Sequence, residues 1–583
     1  MTFPTPEQQA YIGASLNEHV YLRACPGSGK TEVVAAMIAK ATQEWQRSPA
    51  GIAVLTFCNS ATDELKERLH KHLGDALPHP HCVSTFDSFL LNHVVGNIAT
   101  HLTGYPGRDG DYRIRLLDKS SNIFLTRTRI CGRRISACKY DYDMETKRFV
   151  FTTGDLTEVK LNAVEQSPEI IDDLTETKRR FWRRGFATYR DIDMLALMAL
   201  RNAVFEDYFE KVVRRFPVVI VDECQDLSAE QLSIVRQLAR RGMKFHFVGD
   251  LNQSIYGFRK SDPARVRILL DELNFTEYAL TANWRSGQAI VDLCSNLLGV
   301  ARSAGNPNIE PLKPLLIQYQ ECPSELTPKI AEFTHAYHNV VIVARGHGTL
   351  QRFTRGGTPE LAPAAELALS CVLIESRNLE EVRQALESFA GWLASKLGFE
   401  ISPGSLSCPI QVESKLEWRQ FIFQCLKFLN GCGASNLELT WKVWAAQTKR
   451  VIQTLPDQPF VPNSIVPLLE GLRDVSLSAP AGKGAEALAE QLLQVGQQPI
   501  SNHRVATIHQ VKGESHDATV LLSSLKAGSQ GNWKDWLQDP LSEAARLAYV
   551  ASSRPRQLLI WGVKALKPDE RDRIADLGFE IVD

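Results

Sequence analysis

The chain has 583 residues, 44% of them hydrophobic and 23% charged, with a formal net charge of −1; that is length for roughly three or four domains with proper cores, and it excludes a uniformly basic surface of the histone type. No apolar run approaches the ~20 residues of a membrane span, and the opening MTFPTPEQQA has neither the basic region nor the apolar stretch of a secretory signal, so a cytoplasmic location is expected. The twelve cysteines include no Cys-x-x-Cys pair, which leaves zinc ribbons and iron–sulfur staples unsupported and predicts reduced, mostly buried thiols.

In chain order, short β-branched or aromatic runs occur at His19–Ala24, Ile52–Phe57, Val218–Glu223, Phe245–Asp250, Val340–Ala344, Val505–Gln510, Ala518–Ser523 and Leu558–Val563, separated by longer helical patterns. That alternation predicts an α/β fold with parallel sheets. The runs form two groups that meet near residue 283, so two parallel-sheet α/β cores are expected, each carrying a mainly helical inserted domain. The expected partition is 1–95 with 185–283 for the first core, 96–184 for a basic insertion, 284–346 with 500–583 for the second core, and 347–499 for the second insertion. Helical periodicity around Leu416–Ile452 marks that second insertion, and Ser476–Gly484 reads as a linker near its end.

The first run enters Ala24-Cys25-Pro26-Gly27-Ser28-Gly29-Lys30-Thr31 and then the helical VVAAMIAKA, the strand–loop–helix setting of a P-loop. Gly27 and Gly29 let backbone N–H groups turn onto phosphate oxygens, and the helix N-terminus adds its positive end. Lys30 is expected on the β- and γ-phosphates of ATP and Thr31 on Mg²⁺. The run Val218–Val221 ends in Asp222 and Glu223, where Asp222 can hold Mg²⁺ and Glu223 can orient and deprotonate the attacking water. The run Phe245–Asp250 leads to Gln253, an uncharged side chain suited to sensing the γ-phosphate.

In their order and spacing these motifs resemble the UvrD/Rep-like superfamily 1 helicases. The resemblance takes in TPEQQ around Gln8, TFCNSATDELKERL at Thr56–Leu69, STFDSF at Ser84–Phe89, DECQD, GDLNQSIYGFR, NWRS at Asn283–Ser286, TIHQVKG at Thr507–Gly513 and RLAYVASSR at Arg546–Arg554. It covers both cores and not the insertions. It implies two RecA-like cores and ATP-dependent 3′-to-5′ DNA unwinding, with Arg285 and Arg554 as arginine fingers. Gln8 would read the adenine edge, Trp284 would stack on the base where the family usually has tyrosine, and Gly513 with Glu514 would lie at the ribose, Ser515 being the competing candidate. Single-stranded DNA would meet Phe57, Asn59, Thr85, Tyr256, Phe258, Arg259, Thr507 and His509, with aromatic faces as sequence-tolerant footholds. Backbone contacts and stacking serve DNA and RNA alike, so DNA is what the resemblance implies.

Three further positions depart from the family's pattern. Glu32 stands where an arginine commonly packs on the base, Asp87 replaces a common histidine, and Phe258 replaces a common tryptophan. Two basic runs fall in the first insertion, Arg127 to Arg134 and Lys178 to Arg184, the second interleaved with Phe181 and Trp182; a phosphate backbone would suit them, and so would a solvated face. A reading of another class is a nucleic-acid-sensing ATPase subunit that regulates a separate nuclease. With Asp583 soon after the Arg554 motif, no fused nuclease is expected, and compact UvrD-like proteins accompany separate nucleases in antiphage systems such as Gabija.

Overall fold

Runs as continuously apolar as Val218–Val221 need cover on both faces, which a parallel sheet flanked by helices supplies. The computed structural model describes residues 4–119, 121–154, 157–257, 261–355, 363–376, 379–399, 406–489, 492 and 503–582. It divides into two compact units, Met1–Phe353 with His503–Asp583, and Thr354–Asn502.

The first unit begins with β1 (Val20–Ala24), β2 (Ile52–Thr56) and β3 (Cys82–Thr85). The first insertion follows. It holds β4 (Arg115–Leu116), the antiparallel hairpin of β5 (Tyr140–Asp143) and β6 (Arg148–Phe151), and helices Glu158–Ala163 and Pro168–Arg183. Its core gathers Ile130, Tyr140, Phe151 and Leu174, so a hairpin shares the packing with the expected helices. β7 (Phe186–Ala187) closes back on β4, and β8 (Val218–Asp222), β9 (Lys244–Gly249) and β10 (Thr276–Leu280) complete the first core. Its sheet is parallel throughout, in the order β10-β1-β9-β8-β2-β3.

The second core comprises β11 (Leu315–Tyr319), β12 (Val340–Ala344), β13 (Arg504–Thr507), β14 (His516–Leu522), β15 (Pro555–Lys564) and β16 (Glu580–Val582). This sheet is also parallel, in the order β13-β12-β14-β15-β11-β16. In the first sheet Arg23 lies opposite Gly249 and Asp222 opposite Val248. The loops after β1, β8 and β9 therefore leave the sheet side by side, at the carboxyl edge where open parallel sheets bind ligands.

The unit Thr354–Asn502 is helical, with helices Pro363–Leu373, Leu379–Leu397, Lys415–Gly431 and Trp441–Gln453 around buried Trp418, Trp441 and Trp444. Ser476–Gly484 is not a free linker. Leu477 and Ala479 pack on this core, and the Lys442 N–H donates to Gly484 O at 3.0 Å. Among the described residues no helix is long and apolar enough to cross a membrane. All twelve cysteines are unpaired thiols, seven of them buried.

Helix Pro168–Arg183 corrects the reading of the second basic run. Helical spacing turns Leu174, Lys178 and Phe181 inward and leaves Arg179 and Arg183 exposed. Lys178, 4% exposed, places Nζ 2.7 Å from Asp191 Oδ1 and 3.6 Å from Asp141 Oδ1. Asp191 also accepts the N–H of Thr188 in the capping box of helix Tyr189–Leu200. Lys178 is thus a structural counter-charge. Lys178→Met is expected to cost about 3–5 kcal/mol in denaturant unfolding because it strands buried carboxylates, while Arg183→Ala is expected to stay within about 0.5 kcal/mol.

Candidate active site

Phosphate cradle and acids come together from three strand ends. Gly27 and Gly29 have φ of +70° and +82°, and a Cβ on Gly27 would lie 2.5 Å from Arg285 Cβ, so only glycine fits under the NWRS segment. Trp284 donates its backbone N–H to Gly27 O at 2.9 Å. Asn283 Oδ1 accepts the N–H groups of Arg285 and Ser286 at 2.7 and 3.0 Å and holds the segment's shape. Gln8, on helix Pro6–Ile12, donates Nε2 to Ser28 O at 3.3 Å and accepts the Thr5 N–H at 2.8 Å. Gln8, Trp284 and the loop Cys25–Gly29 thus surround one place.

Lys30 Nζ lies 2.5 Å from Glu223 Oε1. Glu223 occupies the left-handed region at φ +54°, a conformation that costs a non-glycine residue about 1–3 kcal/mol and persists only where neighbours enforce it. Its second oxygen takes a hydrogen bond from Gln225 Nε2, and its N–H donates to Asp222 Oδ1 at 2.9 Å. Burial alone would raise the Glu223 carboxyl, but the ammonium groups of Lys30 and Lys512 hold it down at about 2. Burial raises Asp222 to about 6 against the pull of Lys30. The adjacent acids are therefore driven apart in proton affinity, the condition under which one serves as base.

Opposite the acids stand two guanidinium groups. Arg554, 1% exposed, donates Nη2 to Gln253 Oε1 at 3.0 Å, and Arg285 donates Nη1 to Ser553 O at 3.0 Å. Burial, with Arg554 and Arg556 nearby, lowers Arg285 to about 9. A buried and a half-buried cation held beside each other favour an anion between them.

From Asp250 to Gly257 the first core reaches into the second. Asp250 Oδ2 accepts from Gln253 Nε2 at 2.9 Å and from the Tyr549 hydroxyl at 3.1 Å. Arg546 Nε donates to Ser254 O at 2.7 Å, and Glu543 Oε1 accepts the Gly257 N–H at 2.9 Å. Ile255 is fully buried within the second core's apolar cluster. Tyr256 then stacks on Phe57 with ring centroids 5.0 Å apart, and His509 Nε2 lies 3.1 Å from Ile255 O. Lys512 Nζ sits 4.8 Å over the Tyr256 ring and 2.5 Å from Asp226 Oδ2.

Several expected residues sit apart from this cluster or are otherwise engaged. Thr507 is buried, and both its N–H and its hydroxyl bond Gln510 Oε1. Thr85 caps helix Phe86–Phe89 through Ser88. The Glu514 carboxylate is paired with Arg504 at 2.7 and 2.9 Å and with His516 Nε2 at 3.1 Å, while its carbonyl lies 3.5 Å from Arg554 Nη1. Glu32 is paired with Arg68 and His72, each at 2.7 Å. Phe258 and Arg259 lie outside the described residues. Sequence reasoning gave no role to Asp226, Asp250, Lys512 or Tyr549, although each stands inside a motif already recognised.

Comparison with known proteins agrees with this geometry. Residues 5–272 match the UvrD/REP helicase N-terminal domain. The chain is 24% identical over 316 residues to the ATP-dependent DNA helicase srs2 of Schizosaccharomyces pombe, a stretch that is 51% of this chain and 35% of that protein. It is 26% identical over 284 residues to the ATP-dependent DNA helicase PcrA of Leuconostoc citreum, covering 47% of this chain and 36% of the relative. Against the ATP-dependent DNA helicase Rep of Buchnera aphidicola the identity is 25% over 279 residues, 47% of this chain and 41% of the relative. The matched stretches thus span well under half of each relative's length.

The paired guanidinium groups make a specific demand on the ligand. A non-hydrolysable ATP analogue should raise the melting temperature more than ADP at equal saturation, since only the former brings a γ-phosphate to Arg285 and Arg554. In Arg285→Ala and Arg554→Ala the two nucleotides should stabilise equally in a thermal-shift assay.

Proposed function

From the match of residues 5–272 to the UvrD/REP helicase N-terminal domain, we propose that the chain is a UvrD-like, ATP-dependent DNA helicase that moves 3′-to-5′ along single-stranded DNA and unwinds duplex. The observation that carries this reading is the segment Asp250–Gly257. Its first half holds Gln253 against Arg554, its second half stacks Tyr256 on Phe57, and the second core grips it along its length. A change at the nucleotide thereby reaches the stacking aromatics through one segment of eight residues.

In the proposed cycle Lys30 leaves Glu223 for the β- and γ-phosphates. Glu223 then loses its nearest counter-charge, its proton affinity rises, and it becomes able to accept a proton from the attacking water. Arg285 and Arg554 meet the charge that develops on the γ-phosphate. Trp284 stacks on adenine and Gln8 reads its edge, while the Gly513–Glu514 turn lies at the ribose. Thr31 and Asp222 offer hard oxygen donors beside the phosphate cradle, a set that fits Mg²⁺, which typically takes one or two carboxylates and completes its shell with phosphate oxygens and water. The bound ion would neutralise phosphate charge. Asn59, Thr85, Phe57, Tyr256 and His509 are the proposed footholds for the strand. Twelve unpaired thiols suit the reducing cytoplasm, the proposed compartment.

Lys30→Ala and Glu223→Gln should each lower DNA-stimulated ATP hydrolysis by at least about 100-fold, and turnover retained by Glu223→Gln would remove it as the base. Tyr256→Ala tests the track separately. It should raise the DNA concentration needed for half-maximal stimulation, by about fivefold or more for one lost stacking contact, and unchanged stimulation would break the proposed link.

A further inference from the structure

Between the first core and the first insertion lies a cavity of about 1030 Å³, with Phe57 and Asn59 on one wall. Two contacts of opposite character close its boundary. On one side the insertion is rooted in the core, because buried Lys178 joins Asp141 of β5 to Asp191 of helix Tyr189–Leu200, and that helix buries Ile192 and Leu195 in the first core's apolar cluster. On the other side the tip of the β5–β6 hairpin crosses to helix Pro263–Glu272, where Arg265 holds Glu145 in a fork, Nη1 to Oε1 and Nη2 to Oε2 at 3.0 Å. Val266 and Leu269 of that helix lie in the same apolar cluster. Core, rooted helix, hairpin and Arg265 therefore form a closed ring. The cavity is inside it, since Tyr142, Met144, Arg190, Asp193, Glu230 and Gln231 all line it.

The tip is shaped for this crossing. Asp143, 8% exposed, accepts the N–H groups of Glu145 and Thr146 on Oδ1 at 2.9 and 3.3 Å and fixes the turn. Below the tip, Tyr140, Phe149 and Phe151 pack with Leu174, which stiffens the hairpin. From the core side Asp262 caps its helix through the Ala264 N–H at 2.9 Å and places Oδ2 3.7 Å from Arg265 Nε, steadying the guanidinium. Glu145 and Arg265 are 120 residues apart, so it is the fold that brings them together.

The two ends of the hairpin differ in strength. Breaking the buried Lys178 pairs would strand charge, whereas the Glu145 and Arg265 side chains are 57% and 40% exposed, and such a pair holds weakly and is screened by salt. The loose end is the one that opens. Seven carboxylates and four cations line the cavity, so it cannot hold a phosphate backbone by attraction. It can surround one, and enclosure without adhesion suits a strand that slides.

We propose that the β5–β6 hairpin is a strap, latched by Glu145 and Arg265, that encloses a single strand between the insertion and the first core and parts to load the chain on a strand with no free end. The proposal rests on the reading that a single strand crosses Phe57.

The test uses the full chain carrying Glu145→Cys and Arg265→Cys, bridged by a short bismaleimide and verified by peptide mapping, with the unaltered chain and its own exposed thiols treated alike as control. Bridged after loading, the chain should stay on circular single-stranded DNA in about 1 M salt, where phosphate contacts are screened, and should leave a linear strand of the same sequence; one cut in the circle should release it. Bridged before mixing, it should load on the linear strand and not on the circle. A bridged chain that leaves or enters the circle as readily as the linear strand overturns the strap. Charge reversal supplies a second measurement without a bridge. Arg265→Glu should speed dissociation from the circle by about twofold to fivefold, the range of an exposed ion pair, and adding Glu145→Arg should restore the original rate. Equal rates in all three chains overturn the latch and leave the strand path standing. Failure of the unaltered chain to bind either strand overturns the strap and the helicase reading together.

Discussion

Everything in the proposed cycle depends on one constraint: the loop that follows β9 belongs to the first core by sequence and to the second by packing. Ile255 is buried in the second core's apolar cluster, and Asp250, Ser254 and Gly257 are bonded to Tyr549, Arg546 and Glu543. Because these bonds are spaced along the segment, the two cores cannot separate without disturbing either Gln253 or Tyr256. The phosphate sensor and the stacking aromatic are thereby parts of one mechanical element, the kind of shared element that allows two sites to be coupled.

Charge placement around that element is unbalanced in a way that a triphosphate would correct. On the acid side Lys30 neutralises Glu223, and on the basic side Arg285 and Arg554 face each other under burial. An incoming γ-phosphate can take Lys30 from the acid and lie between the arginines, easing the cationic repulsion while leaving Glu223 more basic. Lys512 adds a link to the track, since one ammonium group both pairs with Asp226, three residues past Glu223, and covers the Tyr256 ring.

The parts of this arrangement that sequence reasoning reached are those with local signals. Val218–Asp222 is recognisable because a fully covered strand is apolar at every position, and Glu223 because an acid follows it directly. Edge strands were harder: Thr276–Leu280 is mostly exposed or half-buried and Glu580–Val582 is three residues long, so neither carries the apolar run that reveals a central strand. Lys178 was misread as part of a surface run although its spacing from Leu174 and Phe181 places it on the buried stripe of its helix. Pairs such as Lys512 with Asp226, 286 residues apart, have no local signature and emerge only when two sheets pack together.

The central claim, that nucleotide state and grip on the strand are coupled through Asp250–Gly257, is most directly tested by measuring single-stranded DNA affinity at saturating ADP and at a saturating non-hydrolysable ATP analogue. The account predicts affinities that differ by about fivefold or more, the lower end of ordinary coupling between sites. Equal affinities in the two states would contradict it.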